Sequence, residues 1–148
     1  MLFRSQRDGI MGIECAILGD SIAVGVAQQR TYCYRDAVVG ISSQSFLKRI
    51  TVVNANHVLI SLGSNDSASM ATENNLQQVR SSVAADTVTW LLSANNAKAN
   101  AAARSVARAF GDRVIEIREW VGPDGVHPTT IGYKTIADKW LPTMVIPR

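Results

Sequence analysis

The sequence has few of the residues that build metal centres or disulfide scaffolds, with two cysteines and two histidines among its 148 residues. Cys15 and Cys33 are not spaced like metal-binding cysteines, which argues against a zinc-type site. They fall in the first predicted strand and in the segment before the second, where they are candidate neighbours in a parallel sheet. Because nothing else in the sequence indicates an oxidising compartment, we expect two buried free thiols rather than a disulfide.

Long apolar runs and a strong net charge are also missing. No run approaches the roughly 18 apolar residues that span a bilayer, so no membrane span is predicted. The formal net charge is +3, and the charges are too scattered to indicate a nucleic-acid partner. Four arginines near one another in the sequence are interpreted as a solvated helix face and the strand after it, rather than as a phosphate-binding patch. They are Arg104, Arg108, Arg113 and Arg118.

The first ten residues include two arginines but no apolar segment or cleavage site of the secretory type. A cytoplasmic location is therefore the default expectation. Residues 1–10 are interpreted as an N-terminal extension outside the fold, and residues 11–148 as one domain. A hydrophobic content of 47% and a charged content of 18% are typical of a globular protein of this size.

Short apolar segments alternate with segments of helical periodicity along the chain. One predicted helix begins at Thr72 and carries Leu76, Val79 and Val83 on one face. The five predicted strands cover residues 15–18, 37–39, 57–62, 87–92 and 114–117. This alternation predicts an α/β fold, a three-layer α/β/α sandwich around a flavodoxin-like parallel sheet with strand order 2-1-3-4-5. Ligands of such sheets bind at the carboxyl ends of the strands, where the strand order reverses.

The segment around Gly19-Asp20-Ser21 follows the first strand and opens a helix. A serine at this position lies beside backbone N–H groups that lack intrahelical acceptors, and the helix dipole there favours negative charge. The position therefore suits a nucleophile whose reaction forms an oxyanion. Taken alone, the same segment is more simply interpreted as a helix cap formed by Asp20 or Ser21.

The two histidines differ in their predicted distance from this edge of the sheet. His57 opens the third strand and would lie roughly 20 Å from the ligand edge at about 3.3 Å per residue, so we expect it to be structural. His127 follows the fifth strand and is the candidate base for Ser21. Asp124 precedes it by three residues, close enough to hold the imidazole in the tautomer that accepts a proton. The alternative is a loop whose polar residues only cap the last helix.

Gly40 and Asn65 complete a candidate oxyanion hole at the same edge. Gly40 follows the second strand, where a glycine lets a backbone N–H approach a ligand closely. Asn65 follows the third strand, and its carboxamide is a hydrogen-bond donor. Together with the N–H of Ser21 they would supply three donors, although each residue alone is typical of a turn.

These segments together resemble the SGNH or GDSL-type hydrolases, whose four sequence blocks are named for Ser, Gly, Asn and His. Gly19-Asp20-Ser21 is similar to the first block, Gly40 to the second and Gly63-Ser64-Asn65-Asp66 to the third. Asp124-Gly125-Val126-His127-Pro128 is similar to the last block. The resemblance covers roughly residues 13–141. One departure is Ile22, where a leucine often follows the serine, and another is the short chain, which predicts an open and shallow site.

The resemblance implies a serine esterase in which Ser21 is the nucleophile, His127 the base and Asp124 the group that orients it. Ser21, Gly40 and Asn65 would form the oxyanion hole, and Asp20 would brace the turn. No metal or organic cofactor is expected, and the expected substrate is a small-molecule or carbohydrate ester with a short acyl group. Acyl transfer or thioester hydrolysis at the same site, and a non-catalytic glycan-binding module, remain alternatives.

Overall fold

The computed structural model describes residues 10–142, so most of the predicted extension lies outside the described residues. Five strands are present: β1 Ile10–Gly19, β2 Tyr34–Ala37, β3 Val53–Ser61, β4 Val83–Leu92 and β5 Arg113–Glu116. Five α-helices alternate with them: α1 Ser21–Ala27, α2 Ser43–Arg49, α3 Thr72–Ser81, α4 Ala97–Phe110 and α5 Thr130–Trp140. A short 3-10 helix, Arg118–Trp120, follows β5.

The strands form one parallel sheet in the order β2-β1-β3-β4-β5, which confirms the predicted fold class. Helices cover both faces of the sheet because the central strands are apolar on both sides. On β1, Leu18 packs into the core beneath α2, α3 and α4, whereas Ile17 packs into the core beneath α1 and α5. The switch from one face to the other between successive residues is the two-residue period of a strand.

Several predicted boundaries differ from the structure, because β1, β3 and β4 begin at Ile10, Val53 and Val83 rather than at residues 15, 57 and 87. Two of the differences have identifiable causes. The second strand was expected at residues 37–39, but β2 ends at Ala37, which pairs with Gly19, and Val39 is 72% exposed. The prediction took Val39 for a buried strand residue because it is apolar, but the side chain is exposed and lies beyond the end of β2. Val83 was expected on the face of a helix, but it begins β4 and pairs with Val53. Helical spacing and strand burial both require an apolar residue there, and the pairing with β3 decides between them.

The prediction of free thiols is wrong, because Cys15 and Cys33 form a disulfide. β1 and β2 are neighbours in register, with Ala16 opposite Tyr34. The residues that precede this pair are therefore also opposite each other, and their Cα atoms lie 4.9 Å apart. That separation is within the range that a disulfide requires.

Local sequence signals set several helix ends. Gly111 ends α4 in the left-handed conformation, with φ of +74°. Ser42 caps α2 through its side chain, which accepts a hydrogen bond from the N–H of Ser45. Within residues 10–142, no helix combines the length and apolarity needed to cross a membrane.

Candidate active site

Ser21 is the first residue of α1 and follows β1 after one intervening residue. β1 ends at Gly19, whose φ of +140° favours glycine. A Cβ atom on Gly19 would lie 1.9 Å from the carbonyl oxygen of Ser61 on β3, so no side chain fits between the two strands. The chain therefore turns sharply at the carboxyl end of the sheet and places Ser21 at the start of a helix.

Asp20 braces this turn. Its side chain is buried, and Oδ1 accepts hydrogen bonds from the Ile22 N–H at 3.1 Å and from the Ser61 hydroxyl at 2.9 Å. The Asp20 N–H also donates to the Ser61 carbonyl at 2.9 Å. Oδ2 is buried without a hydrogen-bond partner among the described residues. Burial accordingly raises the pKa of Asp20 to about 6, although the Ser61 and Ile22 hydrogen bonds act in the opposite direction.

A chain of hydrogen bonds joins Ser21, His127 and Asp124. The Ser21 Oγ lies 2.8 Å from His127 Nε2, and His127 Nδ1 lies 2.7 Å from Asp124 Oδ2. Because a carboxylate can only accept, Nδ1 donates to Asp124 and Nε2 is left to accept from the serine hydroxyl. The arrangement can remove a proton from Ser21 as its oxygen attacks an electrophile.

Asp124 is held as a carboxylate by its own loop. Oδ1 accepts hydrogen bonds from the N–H groups of Val126 at 2.8 Å and His127 at 2.9 Å. The Val126 N–H, the His127 side chain and the His127 N–H lower the pKa of Asp124 to about 2. The acceptor for His127 Nδ1 therefore stays ionised throughout the neutral range.

The loop that carries His127 is a small hairpin rather than an irregular segment. Val121 and Pro128 form an antiparallel bridge, and the Gly122 N–H donates to the His127 carbonyl at 2.8 Å. Gly125, with φ of +71°, closes the turn through a 3.0 Å hydrogen bond to the Gly122 carbonyl. These backbone hydrogen bonds fix the position of His127 within the hairpin.

The helix that begins with Ser21 and the helix that follows the hairpin, α1 and α5, are in direct contact. Gly25 lies one helical turn after Ser21, and a Cβ atom at Gly25 would come within 2.2 Å of the Tyr133 ring on α5. Burial raises the pKa of Tyr133 to about 12, and the charges of Asp20 and Asp124 add to the shift. The Tyr133 hydroxyl is therefore neutral at physiological pH, and its ring packs α5 directly on α1.

Asn65 and Gly40 lie at the same edge but make no hydrogen bond to the Ser21–His127–Asp124 chain within the described part of the protein. The Asn65 Nδ2 donates to the Ile41 carbonyl at 3.1 Å, which joins the segment after β3 to the segment after β2. The Val38 N–H donates to the Gly19 carbonyl and keeps the segment after β2 beside the end of β1. Gly40 is exposed and has φ of +79°.

Sequence reasoning assigned no role to Asp66, which organises the segment beside Asn65. Its carboxylate accepts from the Ser43 N–H at 2.8 Å, the Ser43 hydroxyl at 2.5 Å and the Thr72 hydroxyl at 2.7 Å. Asp66 thereby joins the starts of α2 and α3. The only signal in the sequence was its position next to Asn65, because its partners lie 23 and 6 residues away.

His57 lies away from the site, as expected. Its Nδ1 is 2.9 Å from the Thr87 hydroxyl on the neighbouring strand β4, and its side chain is partly exposed. Sequence position along β3 was therefore sufficient to separate the two histidines.

The site is open to solvent. The side chains of His127 and Asp124 are 45% and 53% exposed. Among residues 10–142, no group of three or more His, Cys, Asp or Glu side chains is arranged to hold a metal ion. The chemistry available to these residues is nucleophilic attack assisted by a general base.

No known protein-family model matches this sequence, and no curated protein matches it. Solved structures do match its fold. A GDSL-like lipase from Bacteroides thetaiotaomicron has a TM-score of 0.60 at 17% identity, over 84% of this chain and 83% of the other. A member of the lipolytic G-D-S-L family from Veillonella parvula has a TM-score of 0.59 at 15% identity, over 86% and 96%.

A third similar structure is the C-terminal catalytic domain of peptidoglycan O-acetyltransferase A from Streptococcus pneumoniae, solved with a methylsulfonyl adduct. It has a TM-score of 0.57 at 14% identity, over 88% of this chain and 90% of the other. At these identities the similarity shows the fold. The chain therefore has the fold of the GDSL lipases and acylhydrolases.

Proposed function

We propose that the protein is a GDSL-type serine esterase that hydrolyses short-chain acyl esters through an acyl-enzyme intermediate. The observation that carries the proposal is the continuous hydrogen-bonded chain from the Ser21 Oγ through His127 to the Asp124 carboxylate. Each member has the role that its chemistry allows: nucleophile, general base and the group that fixes the tautomer.

In the first half of the reaction, the Ser21 Oγ attacks the ester carbonyl carbon while His127 Nε2 takes the hydroxyl proton. The tetrahedral intermediate collapses when the carbon–oxygen bond to the alcohol breaks, and His127 returns the proton to the leaving alcohol. Water then attacks the acyl-serine with the same base, which releases the acid and restores the Ser21 hydroxyl.

Three donors would stabilise the tetrahedral oxyanion: the N–H of Ser21, the N–H of Gly40 and the carboxamide of Asn65. The Ser21 N–H opens α1 and has no intrahelical acceptor. Asn65 uses one amide hydrogen for the Ile41 carbonyl, which leaves the second for a ligand. That bond to Ile41 also couples the side-chain donor to the residue after Gly40.

A short acyl group on a sugar is the substrate that we favour. The side chains of His127 and Asp124 are exposed, which suits a small acyl group, and the neighbouring surface is polar. One cavity of about 320 Å³ beside the Asn65 segment is lined by amide, hydroxyl and thioether side chains and one alanine. They belong to Gln44, Ser67, Ser69, Met70, Ala71 and Asn75.

Acyl transfer to an acceptor other than water is the second candidate. It is favoured by the similarity of this fold to the catalytic domain of a peptidoglycan O-acetyltransferase. An open site admits an acceptor alcohol as readily as water, and the acyl-enzyme is common to both reactions. Measuring acetate release with and without added sugar alcohols separates them, because a transferase forms a new ester at the expense of free acetate.

The test of the proposal uses p-nitrophenyl acetate and a fluorophosphonate probe. Wild-type protein should hydrolyse the ester and carry the label on Ser21, whereas Ser21→Ala should do neither. Ser81→Ala is the control because it removes an exposed hydroxyl at the end of α3, outside the candidate active site. Equal hydrolysis by the wild type and Ser21→Ala, with no label on Ser21, would show that the proposal is wrong. If both rates also equal that of the ester in buffer alone, a non-catalytic glycan-binding module is favoured.

We also propose an oxidising compartment as the location of the protein, in place of the cytoplasmic location expected by default. The support is the Cys15–Cys33 disulfide, because stable disulfides are rare in proteins of a reducing cytosol. Lysis directly into denaturant with an alkylating reagent, followed by mass measurement, should find both cysteines unmodified; denaturation is needed because both side chains are buried. Alkylation of both thiols would favour the cytoplasm.

A further inference from the structure

The four arginines between residues 104 and 118 do not form a single surface in the structure. Arg104 lies on α4 and Arg118 begins the 3-10 helix after β5, and both line one cavity. Arg113 lies at the opposite, amino end of β5, where it lines a different cavity. Two of the four arginines therefore line the same cavity.

The cavity containing Arg104 and Arg118 has a volume of about 200 Å³ and lies at the carboxyl edge of the sheet. Leu92, the last residue of β4, lines it and pairs with Glu116, the last residue of β5. Ser21 lies at the same edge, above β1. Since β3 separates β1 from β4, the cavity is displaced from Ser21 by two strand spacings, roughly 10 Å at about 4.8 Å each.

The segments that flank the cavity also carry the residues of the candidate active site. Arg118 begins the 3-10 helix that leads to the hairpin of His127. On the other side, Asn95 in the segment after β4 accepts a hydrogen bond from the hydroxyl of Ser64, the residue before Asn65. The cavity therefore lies beside the segments that carry the candidate active site.

The charges in the cavity leave one cation uncompensated. Arg104 forms an ion pair with Glu116, so these two side chains carry no net charge together. Arg118 is exposed and has no ion pair with another residue of the described range. The polar groups beside it satisfy each other, because the Asn100 Nδ2 donates to the Ser93 carbonyl and the Ser93 hydroxyl donates to Asn100 Oδ1.

We propose that this cavity binds an anionic group, a carboxylate or a phosphate, on the alcohol part of the ester substrate, with Arg118 as its principal contact. The inference rests on the proposed function, because the ligand is part of the same substrate. A guanidinium presents a planar set of donors that matches both anions in a bidentate geometry.

The experiment compares three acetyl esters of one sugar scaffold that differ in a single substituent: a neutral hydroxymethyl, a carboxylate or a phosphate. Wild-type protein should prefer one or both anionic esters. Arg118→Gln should raise KM for the preferred ester by roughly tenfold or more, the effect of losing a hydrogen bond to a charged group, and should leave kcat and the neutral ester unchanged. Arg108→Gln, an exposed arginine of α4 that does not line the cavity, is the matched control.

The outcomes separate this inference from the proposed function. Hydrolysis of all three esters with equal kcat/KM, or an equal effect of Arg118→Gln on neutral and anionic esters, overturns the anionic subsite while the esterase stands. If no ester is hydrolysed, the esterase fails, and the cavity is tested by NMR titration with glucuronate, glucose 6-phosphate and glucose. Shifts around Arg118 that need an anion and vanish in Arg118→Gln support the site, and their absence overturns it. The preferred anion identifies the source as carboxylate or phosphate.

Discussion

Replacing Asp20 by asparagine should remove a pH dependence of folding stability that the buried carboxyl introduces. Asp20 is 1% exposed, and its Oδ2 has no hydrogen-bond partner among the described residues. Burial raises its pKa from 3.8 to about 6. The folded protein therefore holds a proton on Asp20 over a range in which the unfolded chain has already released it.

The sign of the effect follows from this difference in proton binding. Below pH 3.8 Asp20 is protonated in both the folded and the unfolded state, so its burial as a charge costs no stability. Between pH 3.8 and about pH 6 the unfolded state binds fewer protons than the folded state. Stability from this group therefore falls as the pH rises through that window and then stays constant. The interval between the two pKa values corresponds to about 3 kcal/mol, at about 1.4 kcal/mol per pH unit.

The Asp20→Asn variant retains an oxygen that accepts from the Ile22 N–H and the Ser61 hydroxyl. Its amide group lies where Oδ2 was and costs about 1–3 kcal/mol if it stays unpaired, but this cost does not depend on pH. Because the carboxyl of the unfolded chain is already partly ionised at pH 4, the stability of the variant relative to the wild type should rise by about 2–2.5 kcal/mol between pH 4 and pH 7.

Urea unfolding monitored by tryptophan fluorescence measures this difference, because Trp90 and Trp140 are buried. Asp124 and Asp138 do not obscure it, since their pKa values are lowered and their contributions are lost only as the pH falls below the usual value of 3.8. Subtracting the variant from the wild type also removes every other titration common to both. If the stabilities of the wild type and the variant change in parallel from pH 4 to pH 7, burial does not raise the pKa of Asp20 and the reasoning is refuted.

Three further predictions concern packing, the disulfide and catalysis. Gly25→Ala should lower the free energy of unfolding in urea by about 1–3 kcal/mol, because its Cβ would clash with the Tyr133 ring and the clash outweighs the roughly 1 kcal/mol that alanine contributes to a helix. Adding Tyr133→Ala should relieve the clash, whereas a gain in stability for Gly25→Ala alone would contradict the packing. Unreduced, denatured protein should show no free thiols, and two reactive thiols without reductant would exclude the bond. Reduction of Cys15–Cys33 should lower the free energy of unfolding by about 3 kcal/mol, because the bond closes an 18-residue separation and so restricts the unfolded chain. Asn65→Ala should lower kcat on p-nitrophenyl acetate by about 10² to 10³ with little change in stability, since its side chain is exposed, and an unchanged kcat would remove it from the oxyanion hole.

Much of the fold was predictable because buried parallel strands and amphipathic helices leave strong periodic signals. The alternation of elements was sufficient to predict the strand order, since right-handed crossovers permit few arrangements. Boundaries were less predictable where one residue type suits two environments. Val83 fits a helix face or a buried strand start, and Val39 is apolar but exposed; only pairing with the neighbouring strand distinguishes these cases.

In the candidate site, the positions of several residues were predictable from the sequence, but their contacts were not. Ser21, Asn65 and His127 each follow a predicted strand, so the sequence alone placed them at one edge of the sheet. Asp20 was expected to brace the turn from its position, but its partner Ser61 lies 41 residues away. No local pattern encodes such a pair, because the contact exists only after β1 and β3 have aligned.

The sequence by itself determined the chemical types available at the carboxyl edge and the order in which the strands deliver them. Tertiary structure decided which of them meet. The register between β1 and β2 places Cys15 opposite Cys33, where the two form a disulfide. The Tyr133 ring packs on Gly25 and holds α5 against α1. The physical reason is that a hydrogen bond such as the one of 2.8 Å between Ser21 and His127, 106 residues apart, depends on the packing of every element between them.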